Sequence, residues 1–221
     1  MLQTKNGLTG NQLKILAMIA MTCDHVGLQL LPQVDILRLI GRLAMPIYAY
    51  MIAEGCRHTR SRGKYLRRLL SMAALCQVVY FVAMGSLYQC ILVTFSLSVC
   101  LIWLAEEMEK GRNLPFLLGL AGAFFLCVVL PDLWKGTDFE IDYGLAGVLL
   151  PLFIYFGGNK GLIAGLVILA LSWGGNQWLG LLTVPLLMCY NGQRGTANIG
   201  KLFYWYYPVH LVVIYLIGIL L

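Results

Sequence analysis

An aspartate and a histidine, Asp24 and His25, stand next to each other inside the first long apolar run, residues 13–27. Ionisable side chains in the middle of a membrane-length segment cost several kcal/mol unless they are paired or face a cavity. A structural ion pair of Asp24, with His25 donating to a carbonyl, would meet that cost without any chemistry. Because the two groups are adjacent and deep in the run, we favour a functional role for them.

Two further groups on the apolar runs carry a positive charge or an imidazole. Lys14 lies eleven positions before His25, which is three helical turns, so both side chains fall on one face of a helix. His210 lies in the last run, two positions after Pro208, which frees a backbone carbonyl nearby. A core histidine bonded to a neighbouring helix is an equally good interpretation of His210.

Arg38 and Arg42 are one helical turn apart in the second apolar run. Arg38 can extend outward and pair with Asp35. Arg42 is deeper and cannot lose its proton, so it needs an anion, which is either Asp24 or a ligand. Pro46 removes one backbone hydrogen bond and predicts a kink, which would open the wall of a cavity.

A strongly basic segment follows the second run, from Glu54 through Arg57, Thr59 and Arg60 to Arg68. Membrane topology and contact with anionic lipid explain most of this charge. A docking surface for a phosphorylated cytosolic ligand is the sharper interpretation, because arginine and lysine bind phosphate well.

The composition places the chain among membrane proteins. Of its 221 residues, 60% are hydrophobic and 12% are charged, and a soluble domain carries about twice that charged fraction. The net charge of +6 comes from short loops, which is typical of cytoplasmic membrane loops and excludes a nucleic-acid-binding module. The seven cysteines have no metal-ligand spacing, so no metal site and no disulfide framework is predicted.

The hydropathy pattern predicts an all-α protein with a single integral membrane domain, residues 1–221. Each span needs about 20 residues. The nine predicted helices cover residues 12–31, 36–56, 65–84, 88–106, 114–131, 142–157, 160–175, 177–190 and 202–221. Glycines in the sixth and seventh helices, such as Gly161 and Gly165, predict close helix packing.

Every strongly basic loop falls on one side of this arrangement. The positive-inside rule assigns that side to the cytoplasm, so the N-terminus is predicted inside and the C-terminus outside. His25 then lies about 20 Å from the cytoplasmic end of its helix, a little beyond the middle of the bilayer.

Five stretches, taken together and in order, resemble the TraX family over about residues 12–216. The family is named for acetylation of the N-terminus of conjugative pilin. The stretches are residues 13–25, residues 38–46 (RLIGRLAMP), residues 53–65 (AEGCRHTRSRGKY), residues 142–147 (DYGLAG) and residues 201–211 (KLFYWYYPVHL).

The family is similar to transmembrane acyltransferases, which move an acyl group from a cytosolic acyl-CoA to an acceptor. That resemblance implies acetyl-CoA as donor and His25 as the catalytic histidine, with Asp24 as its partner. A neutral imidazole takes the proton of an incoming amine or hydroxyl, and Arg42 or His210 would stabilise the developing oxyanion. The residues assigned to acetyl-CoA are Lys14, Glu54, Arg57, Thr59, Arg60, Tyr65, Arg68 and Lys201.

The expected location is the bacterial cytoplasmic membrane, as a multi-pass protein in contact with the lipid bilayer. The acceptor stays open among a pilin, another protein, a glycan, a lipid head group and a small metabolite, and the oligomeric state is open too. A small-molecule or proton-coupled transporter is the main alternative, because intramembrane Asp, His and Arg also build transport pathways. A non-catalytic assembly subunit is the third.

Overall fold

The structure, a computed structural model, describes residues 7–197 and 199–220, and the side chains of Lys201 and Tyr204 lie outside that description. Within these residues the fold is all-helical, with two isolated β-bridges, Leu8 to Tyr190 and Gln89 to Ile141. The α-helices are α1 (Gly10–Gln29), α2 (Asp35–Gly41), α3 (Ala44–His58), α4 (Arg62–Met84), α5 (Ile91–Met108), α6 (Asn113–Phe124), α7 (Leu130–Leu133), α8 (Gly144–Trp173), α9 (Thr183–Met188) and α10 (Gly200–Leu220).

Five segments among the described residues are long and apolar enough to cross a membrane. They are Asp35–His58, Arg62–Met84, Ile91–Met108, Asn113–Leu133 and Gly144–Trp173, and Trp205–Leu220 is a shorter apolar helix. The all-α membrane class is therefore confirmed. The count of nine spans and the orientation of the termini stay predictions.

The chain forms two compact units. The first unit comprises the chain up to Met51 and from Trp173 onward, and the second comprises Ile52–Ser172. The boundaries fall inside α3 and at the last residue of α8.

In the first unit, helix α1 begins with a capping box. The Thr9 side chain accepts from the backbone of Gln12, and the Gln12 side chain accepts from the backbone of Thr9, which satisfies donors that have no partner inside the helix. Helices α1 and α2 then pack closely at two glycines. A Cβ at Gly27 would lie 2.8 Å from the Cβ of Leu37, and a Cβ at Gly41 would lie 2.4 Å from the Cβ of Asp24.

The kink expected at Pro46 occurs slightly earlier, in a turn at residues 42–43 between α2 and α3. Pro46 lies in the first turn of α3, where its missing N–H needs no partner. The chain therefore interrupts the helix before the proline, and Arg42 falls at the break.

The predicted eighth helix, residues 177–190, was wrong as a continuous helix. A 3₁₀ segment, Gly175–Leu182, precedes the short α9. Gly174 and Gly175 both have positive φ, 65° and 49°. Glycine adopts this backbone freely, and it ends the preceding helix.

In the second unit, α8 doubles back on itself at Gly158, whose φ is 55° and ψ is −131°. A Cβ at Gly165 would lie 3.6 Å from the Cα of Leu150, although a straight helix would separate the two residues by about 22 Å. A Cβ at Gly161 would lie 1.8 Å from the carbonyl oxygen of Phe153. The two predicted helices, 142–157 and 160–175, are thus two arms of one hairpin held together at these glycines.

Candidate functional site

The two histidines of the first unit meet between α1 and α10. His25 Nδ1 lies 2.7 Å from His210 Nε2, and the planes of the two rings are 9° apart. This N···N distance is shorter than a contact between stacked ring faces, so the rings join edge to edge through one hydrogen bond.

The backbone fixes the direction of that hydrogen bond. His210 Nδ1 lies 2.9 Å from the carbonyl oxygen of Tyr206, and a carbonyl oxygen can accept but not donate. The proton of a neutral His210 therefore sits on Nδ1, which leaves Nε2 to accept from Nδ1–H of His25. The remaining nitrogen of a neutral His25, Nε2, then carries a lone pair and can take a proton.

Aromatic residues of α10 hold this pair in place. The Tyr206 ring lies parallel to His210 at 5.3 Å, and Tyr207 meets His210 edge-on at 5.3 Å. The Tyr206 hydroxyl is 2.5 Å from the hydroxyl of Thr22, which itself donates to the carbonyl of Met18. Tyr206 is therefore the donor to Thr22, and it links α10 to α1 close to His25.

Asp24 faces a different helix. Its carboxylate binds Arg38 Nη1 at 2.9 Å and Arg42 Nη2 at 2.8 Å, and Arg38 also donates to the Asp24 carbonyl. The expectation that Asp24 partners His25 is corrected, since the carboxylate oxygens bind two arginines while His25 binds His210. The suggested pairing of Arg38 with Asp35 is also wrong. Of the two anions proposed for Arg42, the structure provides Asp24.

The reason is helical geometry. Consecutive residues of an α-helix point about 100° apart, so Asp24 and His25 face different neighbours. Asp24 packs directly on Gly41 of α2, where the absence of a Cβ leaves room for the carboxylate.

A cavity of about 230 Å³ lies beside the two arginines. It is lined by Arg38, Arg42, Trp173, Gly174, Gly175, Asn176 and Gln177. Arg42 is the more buried of the two arginines, with 14% of its side chain exposed against 31% for Arg38. The segment at residues 174–177, where α8 is followed by the 3₁₀ segment, supplies most of the remaining lining.

Two of the residues assigned to acetyl-CoA form a closed cluster in the second unit. Arg57 donates to Glu54 at 2.5 Å and to the carbonyls of Ile154 and Tyr155 at 2.7 and 2.6 Å. These carbonyls belong to the last turn of the first arm of α8. Because its donors have protein acceptors, Arg57 anchors the α8 hairpin, and Glu54 balances its charge.

Sequence reasoning missed a second closed cluster nearby. Glu106 pairs with Arg62 and accepts from the Tyr155 hydroxyl, and Arg62 also lies over the Trp103 ring. A glutamate near the end of an otherwise apolar helix was the available signal, because such a charge needs a partner. Which residue supplies the partner depends on tertiary packing.

The other assigned residues have different surroundings. Lys14 lies over the Phe203 ring at 5.0 Å, and Tyr65 meets Trp103 edge-on. Thr59 lies at the end of α3, while Arg60 and Arg68 are exposed. The side chain of Lys201 lies outside the described residues. Within the described part of the chain, no group of three or more His, Cys, Asp or Glu could hold a metal ion.

These features define the class: a helical membrane protein of several spans, with an imidazole pair and an arginine-lined cavity in its first unit. The family model described as TraX protein matches residues 9–218, nearly the whole chain. The chain belongs to the TraX family, as its sequence stretches predicted.

Two relatives extend this comparison. The chain is 27% identical over 242 residues to the probable fimbrial assembly protein FimC, serogroup H1, of Dichelobacter nodosus, covering 92% of this chain and 93% of that protein. It is 58% identical over 38 residues to the uncharacterized protein RP591 of Rickettsia prowazekii (strain Madrid E), covering 17% and 15%. No solved structure matches the chain.

Proposed function

We propose that this protein is an acyltransferase of the bacterial cytoplasmic membrane. It transfers the acetyl group of cytosolic acetyl-CoA to an amine or hydroxyl of an acceptor. A pilin N-terminus or another envelope molecule is the proposed acceptor class, which agrees with membership of the TraX family and with the printed name of the Dichelobacter relative.

The observation that carries the proposal is the hydrogen-bond chain from His25 through His210 to the carbonyl of Tyr206. Because His25 donates from Nδ1, its Nε2 is the acceptor that a general base needs. When His25 gains a proton, His210 Nε2 continues to accept from Nδ1–H and orients the imidazolium. His210 is therefore proposed as a positioning residue.

One proton moves in the reaction, from the acceptor to His25 and then to the leaving thiolate. Nε2 of His25 takes the proton of the acceptor as its nitrogen or oxygen bonds to the thioester carbonyl. The C–S bond then breaks, and the CoA thiolate leaves and recovers the proton from the imidazolium. The same lone pair serves an alternative route with an acetyl-imidazole intermediate: Nε2 attacks the thioester carbonyl, the C–S bond breaks and CoA leaves as its thiolate. The acceptor then attacks the acetyl group, the bond to Nε2 breaks, and the proton of the acceptor passes to the thiolate.

The proposed donor surface lies in the second unit. Arg60 and Arg68 are exposed, as phosphate-binding residues must be, and they can contact the charged groups of CoA. Glu54 and Arg57 are not available to contact CoA, because they bind each other and Arg57 also donates to the α8 carbonyls. We therefore remove these two from the proposed donor set.

The decisive experiment compares His25→Asn with His58→Asn. His58 is exposed at the end of α3 and contacts Glu54, so it is the matched control. Purified full-length protein receives isotopically labelled acetyl-CoA, with and without acceptor, and mass spectrometry follows the label. We expect the His25 variant to lose about 10²-fold or more in transfer rate, while the His58 variant keeps wild-type activity. Equal activity of the two variants would overturn the assignment.

The same experiment separates the two routes. Label on His25 in the absence of acceptor indicates the acetyl-imidazole route, and bound donor without covalent label indicates direct transfer.

His210 is tested with His210→Gln and His210→Phe. The glutamine keeps an oxygen acceptor for His25 Nδ1–H, so we expect it to retain more activity than the phenylalanine. A purely packing role would favour the aromatic variant.

A non-catalytic role in pilus assembly is the second candidate, favoured by the name of the Dichelobacter relative. It predicts that His25→Asn supports normal assembly in cells. Loss of assembly in that variant, with normal protein levels in the membrane, supports the enzyme.

A further inference from the structure

We propose that the cavity lined by Arg38 and Arg42 binds an anionic group, a phosphate or a carboxylate, carried by the acceptor. The identification of this ligand as the acceptor rests on the proposed function, whereas the binding of an anion rests on the cavity itself. The acceptor class is thereby narrowed to molecules that carry a negative charge as well as a reactive amine or hydroxyl.

The charges of the cluster do not balance. Of the described residues that line the cavity, Arg38 and Arg42 carry formal charge, and both pair with the single carboxylate of Asp24. Two guanidinium groups cannot lose their protons, so one positive charge is left over in a half-buried site. Such a charge is costly next to apolar helices unless an anion joins it.

Unused hydrogen-bond donors accompany that charge. Arg38 uses Nη1 for Asp24, and Arg42 uses Nη2 for Asp24 and Nε for the carbonyl of Arg38. Within the described part of the chain, Nη2 of Arg38 and Nη1 of Arg42 have no protein acceptor. Guanidinium groups bind carboxylate and phosphate oxygens through several such donors.

The opposite wall leaves room for a small group. A Cβ at Gly174 or Gly175 would meet no atom within 4 Å, so the space beside this segment is open. Asn176 and Gln177 add amide groups to the lining, and these can bind oxygen atoms. A volume of about 230 Å³ is smaller than sites for drug-sized ligands, so it suits one charged group and a few neighbouring atoms.

The cavity is linked to the imidazole pair through the chain. Asp24, which holds both arginines, is followed directly by His25, and consecutive Cα atoms are about 3.8 Å apart. Because the side chain of Asp24 faces α2 and that of His25 faces α10, an acceptor anchored at the arginines needs a nucleophile that reaches from the α2 side of α1 to the α10 side. In the predicted topology, the loops at residues 30–34 and 174–177 lie on the outer side, from which an envelope acceptor would enter.

Three small probes that share a primary amine test the binding. O-phosphoethanolamine carries a phosphate, glycine carries a carboxylate, and ethanolamine has no anion. Purified full-length protein in phosphatidylcholine nanodiscs is titrated with each, and thermal unfolding and tryptophan fluorescence are followed. We expect O-phosphoethanolamine, glycine or both to stabilise the protein and ethanolamine to have no effect. No difference among the three probes would overturn the proposal.

Variants that change the charge of the cluster should change the affinity for the anionic probe in opposite directions. Arg38→Gln keeps the Asp24–Arg42 pair and removes the surplus charge, so the anionic probe should bind about tenfold more weakly. Asp24→Asn keeps a side-chain oxygen that can accept from the arginines and increases the surplus charge, so the probe should bind more tightly. Arg112→Gln, at an exposed arginine between α5 and α6, removes one charge elsewhere and should leave binding unchanged. Equal affinities of wild type and Arg38→Gln would contradict the proposed site, even if Asp24→Asn failed to fold.

Acetyl transfer separates this inference from the proposed function. Anion-dependent binding without transfer from labelled acetyl-CoA to any probe supports the cavity and counts against the acyltransferase. Transfer that is equally fast to ethanolamine and O-phosphoethanolamine supports the enzyme and overturns the cavity. Replacing phosphatidylcholine with phosphatidylethanolamine distinguishes a lipid head group, which would then compete with the free probe, from a soluble acceptor.

Discussion

This protein has two clusters of arginine and carboxylate side chains, and the two clusters differ in charge balance. In the first unit, Asp24 is shared by Arg38 and Arg42 beside a cavity. In the second unit, Glu54 pairs with Arg57, whose other donors reach two carbonyls of α8. The same residue types thus build one cluster with a spare positive charge and one in which every charge is matched.

The difference indicates which arginines can take part in function. A guanidinium whose donors all have protein acceptors stabilises the fold and has little left for a ligand. A guanidinium that shares its carboxylate keeps donors and charge available. Arginine in a membrane protein is therefore best judged by the donors that its protein partners leave free.

The largest effect should come from breaking the balanced cluster. Arg57→Ala leaves Glu54, with 11% of its side chain exposed, without its arginine, and two α8 carbonyls lose a donor. We expect a loss of about 3 kcal/mol in the free energy of unfolding, seen as a lower melting temperature of the purified protein.

The matched change in the unbalanced cluster is Arg38→Gln, which leaves Asp24 paired with Arg42. It should cost less than about 1 kcal/mol or even stabilise the unliganded protein, because a surplus charge is removed. A greater loss for Arg38→Gln than for Arg57→Ala would invert the comparison and place the structural role in the first unit.

Two helix glycines sharpen the comparison through packing, with an expected effect between those of Arg57→Ala and Arg38→Gln. A Cβ at Gly41 would lie 2.4 Å from the Cβ of Asp24, close to the backbone of α1. At Gly55 it would lie 2.4 Å from the hydroxyl of Tyr65, the far end of a side chain that can move. We expect Gly41→Ala to cost about 1–3 kcal/mol by overpacking and to weaken anion binding, and Gly55→Ala to cost less.

Melting temperatures and the titration with O-phosphoethanolamine measure both effects. If Gly41→Ala left anion binding and stability unchanged, the tight packing of Asp24 against α2 would not hold the arginines in place.

Much of the helical framework could be predicted from the sequence because apolar length and glycine spacing act locally. The hairpin of α8 followed from Gly161 and Gly165, which indicated close packing. The break near Pro46 followed from its missing N–H. The helix predicted at 177–190 failed because Gly175–Leu182 is a 3₁₀ segment, and apolar length does not distinguish such a segment from an α-helix.

The residues of the site were predicted better than the partners that they bind. His25, His210, Asp24 and Arg42 were all identified as candidates, because a polar group in an apolar run stands out. One partner, Asp24 for Arg42, was among the proposed alternatives. The His25–His210 and Asp24–Arg38 pairs were not predicted, because neighbours in sequence diverge on a helix, and the helix that packs on each face is a tertiary property. The cavity wall at residues 174–177 carried no charge, so no signal in the sequence pointed to it.

The smallest expected effect concerns Asp138, a surface carboxylate that binds neutral donors where Asp24 and Glu54 bind arginines. It accepts from the Ser86 hydroxyl at 2.5 Å and from the Leu87 amide at 2.9 Å, and these hydrogen bonds lower its pKa.

A lowered pKa in the folded state stabilises the fold above the ordinary aspartate pKa, and this stabilisation is lost as the pH falls through the lowered value. Asp138→Asn should therefore reduce the melting temperature slightly at neutral pH and remove part of its decline below about pH 4. Parallel curves of melting temperature against pH for the variant and the wild type would show that neutral donors alone do not stabilise this carboxylate.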